Sequence, residues 1–240
     1  NFQDAKQYLK GNDLVIGNLE LTFGGTDRPY SSFPCFNTPD SFLDAVKDAG
    51  FNLLTTANNH SMDTGRNGVI RTLDKLDEYG IEHFGTYRSQ EERDKIFYKE
   101  VNGITFAFLS YTYSTNGIPV PDAYLVNLID EDLMVSDIRE ARKHADVVVV
   151  MPHMGNEYET YPRDIFVDWA DMMFEAGADI VLASHPHVLQ KMEYRKVDHG
   201  NGVHDGFIIY SLGNFISSQT TPPRNASIIL HLTVEQVADE

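Results

Sequence analysis

The sequence predicts an α/β protein in which a sandwich of mixed β-sheets is flanked by helices. Strand-like and helix-like segments alternate along the 240 residues, which is the pattern of α/β domains. The dipeptide Asn102-Gly103 separates two strand-like segments, residues 96–101 and 104–111, and is typical of a two-residue β-hairpin. Because a hairpin joins antiparallel strands, a purely parallel sheet is excluded. No internal repeat divides the chain, so we expect one domain over residues 1–240.

Helices are predicted where apolar residues recur at helical spacing, and a glycine follows four of the five segments. They cover residues 3–10, 39–49, 65–79, 131–143 and 163–176. Thr38 is the expected N-cap of the second helix, with Pro39 as its first residue. Thr64 can cap the third helix.

The predicted strands end in polar residues that can bind metals or catalyse reactions. The strands other than the hairpin are residues 13–20, 51–57, 81–84, 146–153, 180–183, 191–197, 207–212 and 228–234. Ligands of open α/β sheets lie beyond the carboxyl ends of the strands. Five strands end there in candidate groups, which are Asn18 and Glu20, Asn59 and His60, His153, His185 and His187, and Asn214.

This histidine-rich set with oxygen donors favours a divalent transition metal, Mn, Zn, Fe, Co or Ni, over Ca or Mg. Cys35 is the one cysteine in the sequence, so a structural zinc site built on thiolates and an internal disulfide are both excluded. Pro186 fixes the backbone between the two histidines of the His185-Pro-His187 turn.

Several of these residues also have a purely structural interpretation. Glu20 can be an exposed carboxylate, Asn58 and Asn59 can be turn residues, and Asp63 can cap a helix. His153 can be a histidine satisfied under a loop. Glu157 can be solvated, a partner of the ligands or a general base. The remaining histidines show no comparable context; they are His83, His144, His199, His204 and His231.

Composition limits the partners. The chain has 19 Lys and Arg against 36 Asp and Glu, a formal net charge of −17, which argues against nucleic acid and anionic membrane surfaces. No apolar run approaches the roughly 18 residues that span a bilayer. The sequence opens with Asn1, without a signal peptide or an initiating methionine. We therefore expect a processed chain or a fragment from which a leader or anchor could have been removed.

Five motifs follow one another along most of the chain, from about Asp13 to Phe215. They are Asn18-Leu-Glu20, Ala57-Asn-Asn-His60 with Asp63 and Gly65, His153-Met-Gly155-Asn-Glu157, Ala176-Gly-Ala-Asp179 with His185-Pro-His187, and Tyr210-Ser-Leu-Gly-Asn-Phe215. In these motifs and their order the chain resembles the capsule-synthesis protein CapA family, also called PgsA, which serves bacterial poly-γ-glutamate synthesis.

The family is similar to the calcineurin-like metallophosphoesterases, which implies a four-layer α/β/β/α sandwich with two metal ions at the strand ends. By this resemblance Asn59, His153, His185 and His187 are metal ligands and His60 is the adjacent catalytic histidine. Glu20 stands where a bridging Asp is usual, with Asn18 as the competing assignment.

One departure from the superfamily pattern concerns the beginning of the chain. The superfamily starts with a strand that ends in an Asp-containing metal motif, and this chain starts after that point. We therefore expect that an N-terminal strand and one carboxylate ligand are missing, which would weaken one metal position.

Two functions from different classes follow from these observations. The first is a metal-dependent hydrolase of capsule or poly-γ-glutamate biosynthesis, acting on a phosphoester or a γ-glutamyl amide, with His60 or Glu157 moving protons. The second is a non-catalytic cell-surface component that binds or exports an anionic polymer. Either would work at the extracellular face of the bacterial envelope, exported or anchored, beside membrane-bound capsule synthesis components.

Overall fold

The computed structural model describes residues 2–200 and 202–236 and contains two β-sheets. In the first sheet, β1 (Ile16–Asn18), β2 (Leu53–Thr55) and β3 (Glu82–Phe84) are parallel and adjacent in that order. The second sheet contains β4 (Phe97–Val101), β5 (Ile104–Thr112), β6 (Val147–His153), β7 (Ile180–Leu182), β8 (Met192–Asp198) and β9 (Val203–Ile209). The helices are α1 (Gln3–Leu9), α2 (Phe42–Ala49), α3 (Gly65–Tyr79), α4 (Gln90–Arg93), α5 (Glu131–Arg142) and α6 (Asp164–Ala176).

The second sheet is mixed, with strand order β4-β5-β6-β7-β9-β8. The central pairs β5–β6, β6–β7 and β7–β9 are parallel, and the outer pairs β4–β5 and β8–β9 are antiparallel hairpins. The hairpin predicted at Asn102-Gly103 is confirmed.

Three apolar cores stack the elements into four layers. Leu53 and Phe84 of the first sheet pack against Phe108 and Met151 of the second sheet. Leu54, the neighbour of Leu53, points to the opposite face and joins the core under α2 and α3, because successive strand residues alternate between faces. The outer face of the second sheet packs on α5 and α6. The layer order is therefore α/β/β/α, and the fold class predicted from the sequence is confirmed.

The start of the second helix differs from the prediction. Helix α2 begins at Phe42, with Ser41 as its N-cap, and not at Pro39. The backbone N–H of Thr38 donates to the Thr22 carbonyl at 2.9 Å, and Phe42 N donates to the Pro39 carbonyl at 3.0 Å, so these residues form a turn before the helix. Tertiary pairing of the preceding loop has displaced the helix start.

The prediction that Thr64 caps the third helix is confirmed for its position but not for its hydrogen bond. Thr64 is the N-cap residue of α3, but its side chain makes no capping hydrogen bond. Its hydroxyl donates instead to Thr22 Oγ1 at 2.8 Å. The long loop that contains Thr22 is thereby fixed to the helix.

The predicted final strand is wrong. Within the described part of residues 228–234, the backbone forms no strand, and the nearest pairing is an isolated bridge between Gly213 and Ser227. Ile229 packs in the cluster that contains Leu9 and Val15, and Val234 packs against the core between the sheets. The apolar residues of this segment are only partly buried, and Leu232 is 37% exposed, so the segment packs on the core without forming a hydrogen-bonded ladder.

No helix in the described ranges combines the length and the apolar character that crossing a bilayer requires.

The core between the sheets yields a stability prediction. Leu53 is fully buried, whereas Leu133 on α5 is 38% exposed. We expect Leu53→Ala to lower the free energy of unfolding by about 2–5 kcal/mol, since it removes packed methyl groups and leaves a cavity. Leu133→Ala is the matched control and should cost under about 1 kcal/mol. Urea denaturation followed by circular dichroism would measure both, and equal losses would contradict the assigned core.

Candidate metal centre

The carboxyl ends of strands from both sheets meet at one place. His153 is the last residue of β6, and Ser184, which follows β7, forms a β-bridge with it. This bridge places His185 beside His153. Glu20 comes shortly after β1, and Asn59 comes shortly after β2. The structure thus brings together Asn59 and Glu20 from the first sheet with histidines from the second.

The polar atoms of this cluster lie within a few ångströms of one another. His153 Nε2 is 2.8 Å from Asn59 Oδ1, 3.2 Å from His185 Nδ1 and 4.0 Å from Glu20 Oε1. Glu20 Oε1 is also 3.7 Å from His187 Nε2. Metal bonds of about 2.0–2.2 Å separate ligand atoms by roughly 3–4 Å. The spacing therefore fits a bound transition metal.

Hydrogen bonds decide which nitrogen of His187 carries its proton. Asn214 donates its Nδ2 to the carbonyl oxygens of His187 and Arg224, at 3.3 and 3.1 Å, so its Oδ1 is left as an acceptor. This oxygen lies 2.8 Å from His187 Nδ1, which must donate to it. His187 Nε2 then presents a lone pair toward Glu20, as a metal ligand requires.

His153 and Asn59 are oriented in the same manner. Asn59 Nδ2 donates to Asn116 Oδ1 at 3.1 Å, so Asn59 Oδ1 faces His153 Nε2. His153 Nδ1 lies 2.9 Å from Ser184 Oγ, which can accept its proton. With the proton on Nδ1, His153 Nε2 and Asn59 Oδ1 both present lone pairs that a shared metal ion would bind; with the proton on Nε2, the two atoms form a hydrogen bond of 2.8 Å. The donor set therefore fits a metal ion in the first tautomer.

Burial keeps the histidines neutral. Burial and then the neighbouring imidazoles hold the pKa of His153 well below its usual value. Burial and then His187 lower the pKa of His185 to about 4. Burial raises the pKa of Glu20, against the opposing effect of His187 and His60. Since only the neutral imidazole binds a metal, these histidines are ready to do so at neutral pH.

Backbone strain is concentrated at this cluster. Five non-glycine residues among those described have positive φ, and Asn102 belongs to the hairpin. The other four belong to or surround the cluster: Asn116, Tyr158, His185 and His187, with φ of 53°, 68°, 116° and 58°. Such conformations cost of the order of 1–3 kcal/mol each and are typical of functional sites.

Asn18 hydrogen-bonds to Glu20, and its amide oxygen is engaged by Asn58 and not by the histidines. Its Nδ2 donates to Glu20 Oε2 at 3.0 Å, and its Oδ1 accepts from Asn58 Nδ2 at 3.1 Å. Asn58 Oδ1 accepts from the backbone of His60 at 3.0 Å, so Asn58 holds the turn after β2. Of the two competing assignments at this strand end, the geometry favours Glu20.

His60 forms a buried pair with Asp63. His60 Nδ1 lies 2.7 Å from Asp63 Oδ2, which also accepts from Phe36 N at 2.6 Å. Because α3 begins at Gly65 with Thr64 as its N-cap, the interpretation of Asp63 as the helix cap is wrong. Asp63 keeps the proton on His60 Nδ1 and leaves Nε2 free. The ring of Phe36 lies edge-on against His60, with centroids 4.6 Å apart.

Glu157 and two tyrosines form the rim of the cluster. Glu157 is exposed, and one of its carboxylate oxygens lies within 4.8 Å of ligand nitrogens on His185 and His187. Tyr158 stacks on His187 and Tyr113 packs on His185, with ring centroids 6.0 and 4.7 Å apart. Glu157 is thus placed to be an oxygen ligand or to exchange protons at the open side.

Comparison with known proteins identifies the family. Residues 1–219 match the profile of the bacterial capsule synthesis protein PGA_cap. The chain belongs to the PGA_cap family. It is 34% identical over 235 residues to the PGA biosynthesis protein CapA of Bacillus subtilis strain 168, covering 95% of this chain and 60% of that protein. It is 32% identical over 243 residues to the capsule biosynthesis protein CapA of Bacillus anthracis, covering 96% of this chain and 57% of that protein.

The PGA_cap chain spans somewhat over half the length of these curated relatives. Among solved structures it is similar to the sulfate thiohydrolase SoxB of Thermus thermophilus in complex with glycerol, with 19% identity and a TM-score of 0.48. That similarity covers 88% of this chain and 36% of the SoxB chain.

The sequence did not reveal which residues orient the candidate ligands and His60 of the PGA_cap chain. Ser184, Asn116 and Asp63 act through hydrogen bonds to His153, Asn59 and His60 respectively. Asp63 could have been found from its position three residues after His60, inside the same motif. Asn116 lies in a distant loop, and nothing in the sequence relates it to Asn59.

The turn that carries His185 and His187 requires a glycine opposite it. Gly155 has φ of 125°, and a Cβ added there would lie 2.7 Å from Pro186 Cγ. Gly103 has φ of 85° with nothing within 4 Å, so Gly103→Ala isolates the backbone cost of about 1–2 kcal/mol. We expect Gly155→Ala to lower the unfolding free energy by about 2–4 kcal/mol, the excess being the clash with Pro186. Equal losses in urea denaturation would show that this contact is unimportant.

Proposed function

We propose that this PGA_cap chain is a metal-dependent hydrolase of capsule biosynthesis that cleaves a phosphoester or a γ-glutamyl amide in an anionic substrate. The observation that carries the proposal is the convergence of neutral imidazole, amide and carboxylate donors beside the His60–Asp63 pair. Its curated relatives are named for capsule and PGA biosynthesis, which supports a role at the bacterial cell envelope.

The candidate ligands divide between the two sheets. Glu20 and Asn59 would hold metal from the first sheet, and His153, His185 and His187 from the second. Glu20 Oε1 lies 4.0 Å from His153 Nε2 and 3.7 Å from His187 Nε2, so Glu20 would hold metal together with these histidines. A bound ion would polarise the scissile group and lower the pKa of a water molecule. The donors favour Mn, Zn, Fe, Co or Ni.

His60 and Glu157 are the proposed proton carriers. Asp63 fixes the tautomer of His60, so its Nε2 can exchange a proton with a leaving group or a water molecule. Glu157 lies at the exposed edge beside His185 and His187, where a second proton carrier can contact both solvent and substrate.

An unpaired arginine supports an anionic substrate. Arg224 lies 5.0 Å from the ring centroid of Tyr158, which in turn stacks on His187. Its guanidinium contacts Thr221 Oγ1, and in the described part of the chain it forms no ion pair with a carboxylate. In a chain of net charge −17, an uncompensated guanidinium at the rim of this cluster is a natural partner for a phosphate or a glutamyl carboxylate.

A second candidate function is a non-catalytic component that binds or exports an anionic polymer. It is favoured by one observation: the ring of Phe36 packs against His60, and His60 is only 5% exposed. A proton carrier must contact substrate, so the loop that carries Phe36 has to move if the chain is a hydrolase. The two functions share the same anion-binding rim and differ in turnover.

Two histidine variants separate metal binding from catalysis. We expect His185→Ala to lose bound metal, because it removes a candidate ligand. His60→Ala should keep the metal and lose turnover by about 10²–10⁴-fold, because it removes a proton carrier. Elemental analysis and assays with bis(p-nitrophenyl) phosphate and γ-glutamyl-p-nitroanilide would measure these effects. His144→Ala, an exposed residue just after α5, is the control.

Equal metal loss in the two variants would contradict the division of roles. Metal binding without turnover on either substrate class, together with binding of poly-γ-glutamate, would support the polymer-binding function.

The role of Arg224 can be tested by neutralising it. We expect Arg224→Gln to raise KM for anionic substrates about tenfold with little change in kcat, since a hydrogen bond to a charged group contributes about 1.5–3 kcal/mol. Arg139→Gln is the matched control, because Arg139 on α5 also forms no ion pair with the described residues. An unchanged KM for Arg224→Gln would show that this guanidinium does not contact substrate.

A further inference from the structure

A second group of candidate ligands lies at the opposite end of β7. Asp179 immediately precedes β7, whereas His185 follows it. His199 and His204 belong to the turn region of the β8–β9 hairpin, and their ligand atoms lie within 4.8 Å of one another and of an Asp179 oxygen. At about 3.3 Å per residue, the segment 179–184 puts roughly 17 Å between this group and the strand-end cluster.

The two histidines converge on one oxygen atom. His204 Nε2 is 2.8 Å from Asp179 Oδ1, and His199 Nε2 is 3.4 Å from the same atom. The rings of His199 and His204 meet edge to face, with centroids 5.1 Å apart. The side chains of His199 and Asp179 are 6% and 10% exposed, whereas that of His204 is 38% exposed, so solvent reaches the group from the His204 side.

The hydrogen bonding of this group is incomplete without a cation. His204 Nδ1 lies 3.3 Å from the Gly202 carbonyl oxygen, and His204 Nε2 faces the Asp179 carboxylate, so both nitrogens face acceptors. His199 Nε2 is buried and has no hydrogen-bond partner among the described residues. A proton shared with the Asp179 carboxylate can bond to only one of the two imidazoles. A single metal ion can instead accept lone pairs from both imidazoles and from the carboxylate. An unpartnered buried nitrogen is otherwise destabilising.

The other carboxylate oxygen is already engaged. Asp179 Oδ2 accepts from Arg142 Nη1 at 2.6 Å and from the backbone of Val148 at 2.7 Å. These bonds fix the carboxylate and direct Oδ1 toward the histidines. Burial also lowers the pKa of His199, which keeps its imidazole neutral and able to bind. Arg142 therefore orients the candidate ligand without occupying the position between the three ligand atoms.

We propose that Asp179, His199 and His204 bind a divalent transition metal ion, such as Zn²⁺, that fastens the tip of the β8–β9 hairpin to the beginning of β7. Two imidazoles and one carboxylate suit Zn, Fe, Co or Ni. The three protein ligands leave one or more positions for water. The proposal rests on residues remote from the strand-end cluster and does not depend on the proposed hydrolase activity.

Zn²⁺ binding to the unmodified chain and to the His185→Ala chain would test the site. The chain is stripped with EDTA, dialysed, and titrated with Zn²⁺ by isothermal titration calorimetry. We expect His204→Ala and His199→Ala each to bind one equivalent fewer than the unmodified chain, and His144→Ala to bind the same number. In the His185→Ala background, Zn²⁺ should still raise the melting temperature, and adding His204→Ala should abolish that rise.

Histidine side-chain NMR gives a readout in which the proposed ligands themselves are not replaced. Addition of Zn²⁺ to the His185→Ala chain should shift the Nε2 resonances of His199 and His204 together. The proposal is overturned if His204→Ala binds as many equivalents as the unmodified chain. It is also overturned if those resonances stay in place while His204 titrates as a simple imidazolium against Asp179.

Discussion

The strand-end cluster depends on burying several imidazoles together without charge. His153 and His185 are almost fully buried and lie 3.2 Å apart, so protonating either would place a desolvated positive charge beside its neighbour. Loss of solvent is the main cause of the depressed pKa of each histidine, and neighbouring imidazoles add to it, His185 beside His153 and His187 beside His185. Each neutral imidazole then keeps one nitrogen lone pair. Such an arrangement is stable when hydrogen bonds fix the tautomers and a cation occupies the centre.

The packing of two sheets is what gathers these groups. β6 and β7 bring histidines from the six-stranded sheet, and β1 and β2 bring Glu20 and Asn59 from the three-stranded sheet. No single element carries the whole donor set, so the geometry of the cluster depends on the core between the sheets. β7 has candidate ligands at both ends, Asp179 before it and His185 after it. One short strand thus separates two groups of candidate metal ligands, one at each of its ends.

Much of the fold follows from local sequence signals. Helices α2 and α3 end at Gly50 and Gly80 because these glycines adopt the left-handed conformation that terminates a helix. The alternation of apolar residues along β5 placed its two faces in different cores. Local signals did not predict where α2 starts or that residues 228–234 form no strand. The start of α2 depends on a loop that pairs with Thr38, and residues 228–234 pack through apolar contacts without strand pairing.

Periodicity and turn chemistry are local properties, so the sequence predicted the alternation of strands and helices, the hairpin and the histidines at strand ends. The four-layer order was expected from the family resemblance and is confirmed by the packing of the two sheets. Which groups meet depends on the tertiary structure, because hydrogen-bond partners come from distant segments. It made Asp63 the partner of His60 and Asn214 the partner of His187. It also placed His199 and His204, which lack any motif, beside the carboxylate of Asp179, which lies 20 and 25 residues earlier in the chain. Proximity in space, and not spacing in sequence, gives those histidines their chemistry.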